Sequence, residues 1–369
     1  MHAMFVAQPS LIRIQPPMKA LVYLGPGKKK LDEVPKAALR APTDAVVRMT
    51  RTTICGTDLH ILKGDVATVA KGRILGHEGI GIVEEAGAVV SRFRKGDRVL
   101  ISCITACGKC ENCRSGMPSH CEEGGWILGN TIDGTQAEHV RIPFADTSLY
   151  PIPDGADEDE MVMLSDILPT GYECGVLKGC VKPGDTVALI GAGPVGLATL
   201  LTTQFYAPAR IIVIDLDDKR LEVAKRLGAT EVINSTDGKA VEKVMAMTAG
   251  KGVEVAIEAV GIPATFEMCQ EIVGAGGHIA NIGVHGVSVT LHLEKLWPQN
   301  ITITTRLVDA VTTPLLLKTV MAGRLKPRQL ITHHFTLDEI IKAYDTFGNA
   351  GREHALKVII TNQAALGKK

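Results

Sequence analysis

A chain of 369 residues is longer than one hydrophobic core ordinarily fills, so two domains are expected. Forty Lys plus Arg balance forty Asp plus Glu, and a surface with no net charge exerts no long-range pull on nucleic acid or an anionic membrane. No apolar run approaches the roughly 20 residues of a membrane span, so the expected partner is a small neutral molecule.

Residues 1–17, MHAMFVAQPSLIRIQPP, have a short apolar patch but no basic start and no long hydrophobic region. They read as an extension from an upstream translation start, not as a secretion signal, and the fold is expected to begin near Met18. MKALVYL, DAVVRMTRTTI and GIGIVEEAGAVV are β-branched runs separated by glycine, proline and charge, the pattern of a loop-rich β domain. Within it, CGTDLH (Cys55–His60) and GHEGIGIVEEAG (Gly76–Gly87) carry the residue types that bind metals and move protons.

Next comes CGKCENCRSGMPSHC, with Cys107, Cys110, Cys113 and Cys121 spaced as C-x-x-C-x-x-C and, after seven residues, C. Four thiolates on a short polar loop suit a closed tetrahedral zinc site that fastens a lobe, 103–125, too small to hold itself together by apolar burial. With no open coordination position its role is structural. The crowding of four of the nine cysteines here fits a reducing cytoplasm better than a disulfide scaffold. Cys103 in VLISC reads as core, and His120, beside Cys121, is a competing ligand that four sulfurs make unnecessary.

LSDILPTGYECG (Leu164–Gly175) offers a carboxylate at Asp166 and a thiol at Cys174, and either can bind a metal. From Val181 the rhythm changes to buried strands alternating with helices, that of a doubly wound parallel sheet. In VALIGAGPVGLATL, Gly191, Gly193 and Gly196 form G-x-G-x-x-G between a strand and a helix that Pro194 and Val195 open. Such a turn lets backbone approach a pyrophosphate at the helix N-terminus. The next strand, RIIVID, ends in Asp215, where a carboxylate accepts from ribose hydroxyls and repels a 2′-phosphate, favouring NAD over NADP. Lys219 and Arg220 close by soften that preference. After ITITTRL the alternation stops; FTLDEIIKAYDTF and ALKVII read as helix then strand returning to the first domain. There is no internal repeat.

The GHE motif with Gly81 and Gly87 behind it resembles the zinc signature of the medium-chain alcohol dehydrogenases. The order of zinc motif, four-cysteine lobe, Rossmann glycines and returning tail agrees with that family from about Met18 onward. The resemblance implies an α/β fold: a GroES-like β-rich catalytic domain over 18–167 and 308–369, and a Rossmann NAD-binding domain over 168–307. It implies two zinc ions, NAD, and alcohol oxidation to aldehyde or ketone. By the same resemblance Cys55, His77 and Asp166, four residues before Thr170, hold the catalytic zinc. Glu78 is the adjacent carboxylate, Asp58 orients the His77 imidazole, and Thr57 and His60 pass the proton outward. Arg220, Ile282, Val284 and Lys357 contact the cofactor, Lys357 at the pyrophosphate, and Trp126 walls an apolar substrate pocket. Aspartate at the third ligand position resembles the secondary-alcohol branch and also the formaldehyde dehydrogenase or dismutase branch; a non-catalytic zinc and NAD protein is the reading of a different class. Relatives of this kind imply a homotetramer built through the sheet edge ITITTRL.

Overall fold

The computed structural model describes residues 17–363; the extension expected over 1–17 lies outside them except for Pro17. The chain opens with an antiparallel ribbon, β1 (Pro17–Gly25) and β2 (Lys28–Pro35). A seven-stranded sheet follows, from β3 (Ala45–Thr53), β4 (Gly79–Ala86), β5 (Arg98–Ile101) and β7 (Leu149–Pro151), with β14 (Ile331–Thr336) and β15 (Lys357–Thr361) from the chain's end; β6 (His139–Ile142) pairs with β3 off the main path. β15 lies antiparallel to β3, with Ile360 opposite Thr52, so the tail does return to the first sheet. β3 is buried along nearly its whole length because both of its faces are covered, and it therefore lacks strict alternation.

The second sheet has six parallel strands in the order β10 (Glu231–Asn234), β9 (Arg210–Asp215), β8 (Thr186–Ile190), β11 (Val253–Glu258), β12 (Val273–Asn281) and β13 (Thr302–Thr305). Strands 9 and 11 flank β8, so the chain order reverses there and opens a crevice beyond the strands' C-terminal ends, where such sheets take their ligands. One core cluster holds Ile80, Leu100 and Leu164 together with Val187, Leu189 and Val213, tying the two sheets through the segment between β7 and β8.

Two sequence expectations shift at their edges. Cys103 lies two residues past β5, not inside a strand, although it is buried as expected. Phe335 and Thr336 belong to β14, and the helix expected from FTLDEII opens as a 3-10 turn over Leu337–Glu339 and becomes α-helical at Ile340. Pairing of β14 with β15 outbids the helical pattern there.

Candidate active site and metal centres

Cys55 is presented by a tight turn. Its amide donates to Asp58 Oδ2 at 2.9 Å, and the helix Gly56–Lys63 begins immediately after it. Asp58 also accepts from Gln136 Nε2 at 3.1 Å, and Gln136 in turn accepts from Tyr344 Oη at 2.8 Å. Asp58 therefore braces Cys55. The hydrogen bond to His77 expected of it is not made, since Asp58 Oδ1 is buried without a partner. His77 enters from the segment before β4, after Gly76 at φ 94; a Cβ on Gly76 would stand 2.6 Å from the Gln136 side chain, so no other residue fits.

Asp166 Oδ2 lies 3.1 Å from His77 Nε2 and 3.6 Å from Cys55 Sγ, and its Oδ1 accepts from Thr170 at 2.5 Å. Glu78 completes the group: one donor atom from each of Cys55, His77, Glu78 and Asp166 falls within 4.8 Å of the others. Cys174 is not among them; it sits in an apolar cluster with Cys103, Val308 and Ala310, and burial raises its thiol pKa. Burial raises Cys55 too, with Asp166 adding to it. Burial opposes charge on His77 and on Asp166, yet their mutual bond prevails, raising the imidazole well above and holding the carboxyl well below their usual values. A sulfur, an imidazole and a carboxylate in a buried cluster, with Glu78 Oε1 lacking any partner, is a donor set that fits zinc and leaves room for a further ligand.

Lys357 corrects the expectation that it meets a pyrophosphate. Its ammonium is 0% exposed and bonds Glu78 Oε2 at 2.5 Å, with Thr53 Oγ1 donating to the same oxygen. Burial pushes Lys357 down, but Glu78 and then Cys55 outweigh it and keep the charge. A lysine inside the apolar run ALKVII was the one sequence signal that it is buried and paired. Gln136 and Tyr344 gave no such signal.

The donors open onto a cavity of about 760 Å³. Thr57, His60 and Trp126 line it on the donor side, and Gly193, Pro194, Val195, Ile282 and Val284 line it from the parallel sheet. Trp126 stands edge-on to the His77 ring with centroids 6.3 Å apart, and His60 Nδ1 is 2.8 Å from Asp65 Oδ2. At the glycine turn, a Cβ on Gly196 would meet Gly191 O at 2.0 Å, so the helix Pro194–Thr203 packs on the strand only through glycine. Asp215 Oδ2 accepts from Ala192 N at 2.6 Å and Oδ1 from Asp217 N at 3.0 Å, bracing the turn from the strand end. Arg220 reaches within 4.0 Å of where a Cβ of Gly193 would stand, and its Nε is buried without a partner, a donor that an anionic cofactor would satisfy.

Cys107, Cys110, Cys113 and Cys121 form the second donor group, again within 4.8 Å. Amide hydrogen bonds from Glu122 and Cys113 lower the Cys110 thiol to about 7. The group fits a closed zinc site; His120 turns away, its Nδ1 2.9 Å from Ser119 Oγ.

Comparison with known proteins agrees with this geometry. Residues 41–154 match the alcohol dehydrogenase GroES-like domain, and residues 194–318 the zinc-binding dehydrogenase family. An alcohol dehydrogenase of Cupriavidus necator is 37% identical over 368 residues, covering 93% of this chain and 98% of that protein. The apo structure of zinc dependent alcohol dehydrogenase 2 from Streptococcus pneumonia superposes with a TM-score of 0.90 at 57% identity, covering 94% of this chain and 99% of that one. A short chain alcohol dehydrogenase of Escherichia coli CFT073 in complex with NADH gives 0.85 at 26% identity, over 94% and 99% of the two chains.

Proposed function

Because the chain belongs to the zinc-dependent medium-chain alcohol dehydrogenases, we propose that it oxidises simple aliphatic or aromatic alcohols, secondary ones foremost, with NAD as hydride acceptor. The observation that carries this reading is the continuity of one cavity from the Cys55–His77–Asp166 donors to the glycine turn at Gly193.

In this reading Cys55, His77 and Asp166 hold the catalytic zinc, and the four lobe cysteines hold the structural one. Bound there, zinc would act as a Lewis acid that lets an alcohol lose its proton near neutral pH. NAD would take the hydride, its pyrophosphate at the N-terminus of the Pro194 helix, its ribose by Asp215 and Arg220, its nicotinamide by Ile282 and Val284. Thr57 accepts and passes the hydroxyl proton; its Oγ1 lies 3.8 Å from Cys55 Sγ, within reach of a group bound beside that sulfur. His60 carries the proton to the cavity mouth with its ring held by Asp65. Asp58 keeps Cys55 in place, and Glu78 stands ready as a further carboxylate held back by Lys357. Trp126 bounds the alcohol's apolar part and excludes water.

The division into 18–167 with 308–369 and 168–307 is part of the proposal, as is a homotetramer joined through β13, whose outer edge carries no strand partner among the described residues. The direct test is NADH absorbance with a panel of primary and secondary alcohols and both nicotinamide cofactors. Ketone formation from secondary alcohols with NAD supports the reading; formate from formaldehyde as the main product would move the chain to the formaldehyde dehydrogenase branch.

A further inference from the structure

Glu173 lies outside the cavity and outside both donor groups, yet it is almost fully buried and no step above uses it. It sits on the helical turn Gly171–Leu177, where the chain first crosses toward the parallel sheet. Its carboxylate is filled from the other crossing. Oε2 accepts from the amides of Asp309 at 3.0 Å and Ala310 at 3.1 Å, and Oε1 accepts from the amide and the hydroxyl of Thr312, both at 2.8 Å. Those amides precede the helix Thr313–Met321 and so fall outside its ladder of hydrogen bonds; a buried acceptor must come from elsewhere, and Glu173 supplies it.

The segment held in this way is also part of the cavity wall. Leu307, Val308 and Asp309 line the cavity together with Met117, Ser119 and His120 of the four-cysteine lobe. Asp309 bolts the two parts to each other: its Oδ1 accepts from the Ser119 amide at 3.1 Å and hydroxyl at 2.6 Å, while Oδ2 accepts from Arg306 Nε at 3.0 Å. Between the bolt and the helix, Ala310 has φ 56, a left-handed conformation that a residue with a Cβ keeps only when its surroundings impose it. Glu173 grips its amide, and the Tyr150 hydroxyl donates to its carbonyl at 3.0 Å. Burial pushes Tyr150 up to about 12, so that donor proton stays in place.

We infer that Glu173 is a positioning residue for substrate selection, which fixes the strained turn at Ala310 and, through Asp309 and Ser119, sets the gap between the return segment and the cysteine lobe. That gap is the width available to the alcohol's apolar part, so the clamp makes the pocket select against bulk. The inference rests on the reading of the cavity as the alcohol pocket. It adds that the pocket's tolerance is set by a carboxylate that never touches substrate.

The test uses the zinc-loaded full chain and the variants Glu173→Gln, which keeps volume but replaces one acceptor with an NH₂ group, Glu173→Ala and Asp309→Asn. Three quantities are read: amide hydrogen exchange over 305–313, kcat/KM along a series from a short straight alcohol to a branched or aromatic one, and the NADH dissociation constant. Exchange over 305–313 should quicken at least about tenfold while the rest of the chain keeps its protection. In all three variants the preference for the small alcohol over the bulky one should fall by about tenfold, mostly through KM of the bulky alcohol; in the two Glu173 variants, which leave the cavity lining itself unaltered, kcat for the small alcohol and NADH binding should hold within about twofold. Faster exchange with an unchanged size preference, an equal loss across the whole series, or loss of the lobe zinc would each overturn the inference and leave Glu173 a purely structural group. If the Glu173 variants do not fold, Asp309→Asn decides by the same size ratio. A wild-type chain that turns over no alcohol at all would instead remove the reading of the cavity on which the clamp's role depends.

Discussion

Lys357→Met removes an ammonium while filling nearly the same space. Lys357 and Glu78 are 0% and 1% exposed, so neither charge has water to fall back on once its partner is gone. After the change Glu78 keeps only the Thr53 hydroxyl on Oε2, and its Oε1 already has no partner. Removing one member of a buried ion pair costs about 3–5 kcal/mol, because an uncompensated charge remains inside, and Lys357→Met should fall in that range. Glu78→Gln with Lys357→Met leaves no buried charge of either sign and should recover at least about 2 kcal/mol of the loss. The assay is urea unfolding of the two single variants and the double at one fixed zinc concentration, since a bound metal adds its own stabilisation. A single-variant cost below about 1 kcal/mol, or single costs that simply add in the double, would refute the claim that the pair is bound by mutual compensation.

Asp166→Ala should release one zinc per chain and abolish alcohol turnover with the fold intact, while Cys174→Ala keeps both; metal analysis and an NADH assay on the two variants check this, and the opposite pattern would reassign the third ligand. Asp215→Asn removes the carboxylate that would repel a 2′-phosphate, so the ratio of kcat/KM for NAD over NADP should fall about tenfold or more. The bond to Ala192 N makes some loss with NAD itself part of the same expectation. Asp159 is buried enough to be raised, but Arg51 and then His334 outweigh that and hold it below its ordinary value of 3.8. Its stabilising contribution is therefore present above that value and is lost as the pH falls through the lower folded-state value. The stability gap between wild type and Asp159→Asn should be full at neutral pH and close in acid below about pH 4; a gap independent of pH would show that the pairing with Arg51 contributes nothing.

Much of the site was legible because its chemistry depends on local spacing. The cysteine lobe, the glycine turn and the GHE motif each place their groups within a few residues, where loop and helix geometry fixes them without help from the rest of the chain. The choice of Asp166 over Cys174 needed the resemblance to a family, since spacing alone allowed both. Lys357 meets Glu78, 279 positions away, because strand β15 pairs with β3, and no local spacing announces a contact between residues that far apart. Asp58 closes the turn under Cys55 rather than bonding the His77 imidazole, a choice between two near neighbours of the motif that its spacing leaves open.

The sequence by itself determined the donor types, the parallel sheet and the four-cysteine donor group, all of which follow from side-chain chemistry and from periods of two to seven residues. Tertiary structure alone decided which buried charges compensate one another and which distant segments share a wall: Lys357 with Glu78, Glu173 with the return segment, Asp309 with the cysteine lobe. Those pairings are set by where separate strands and crossings come to lie, and a buried polar group takes whatever partner the packing brings within reach because leaving it bare costs more.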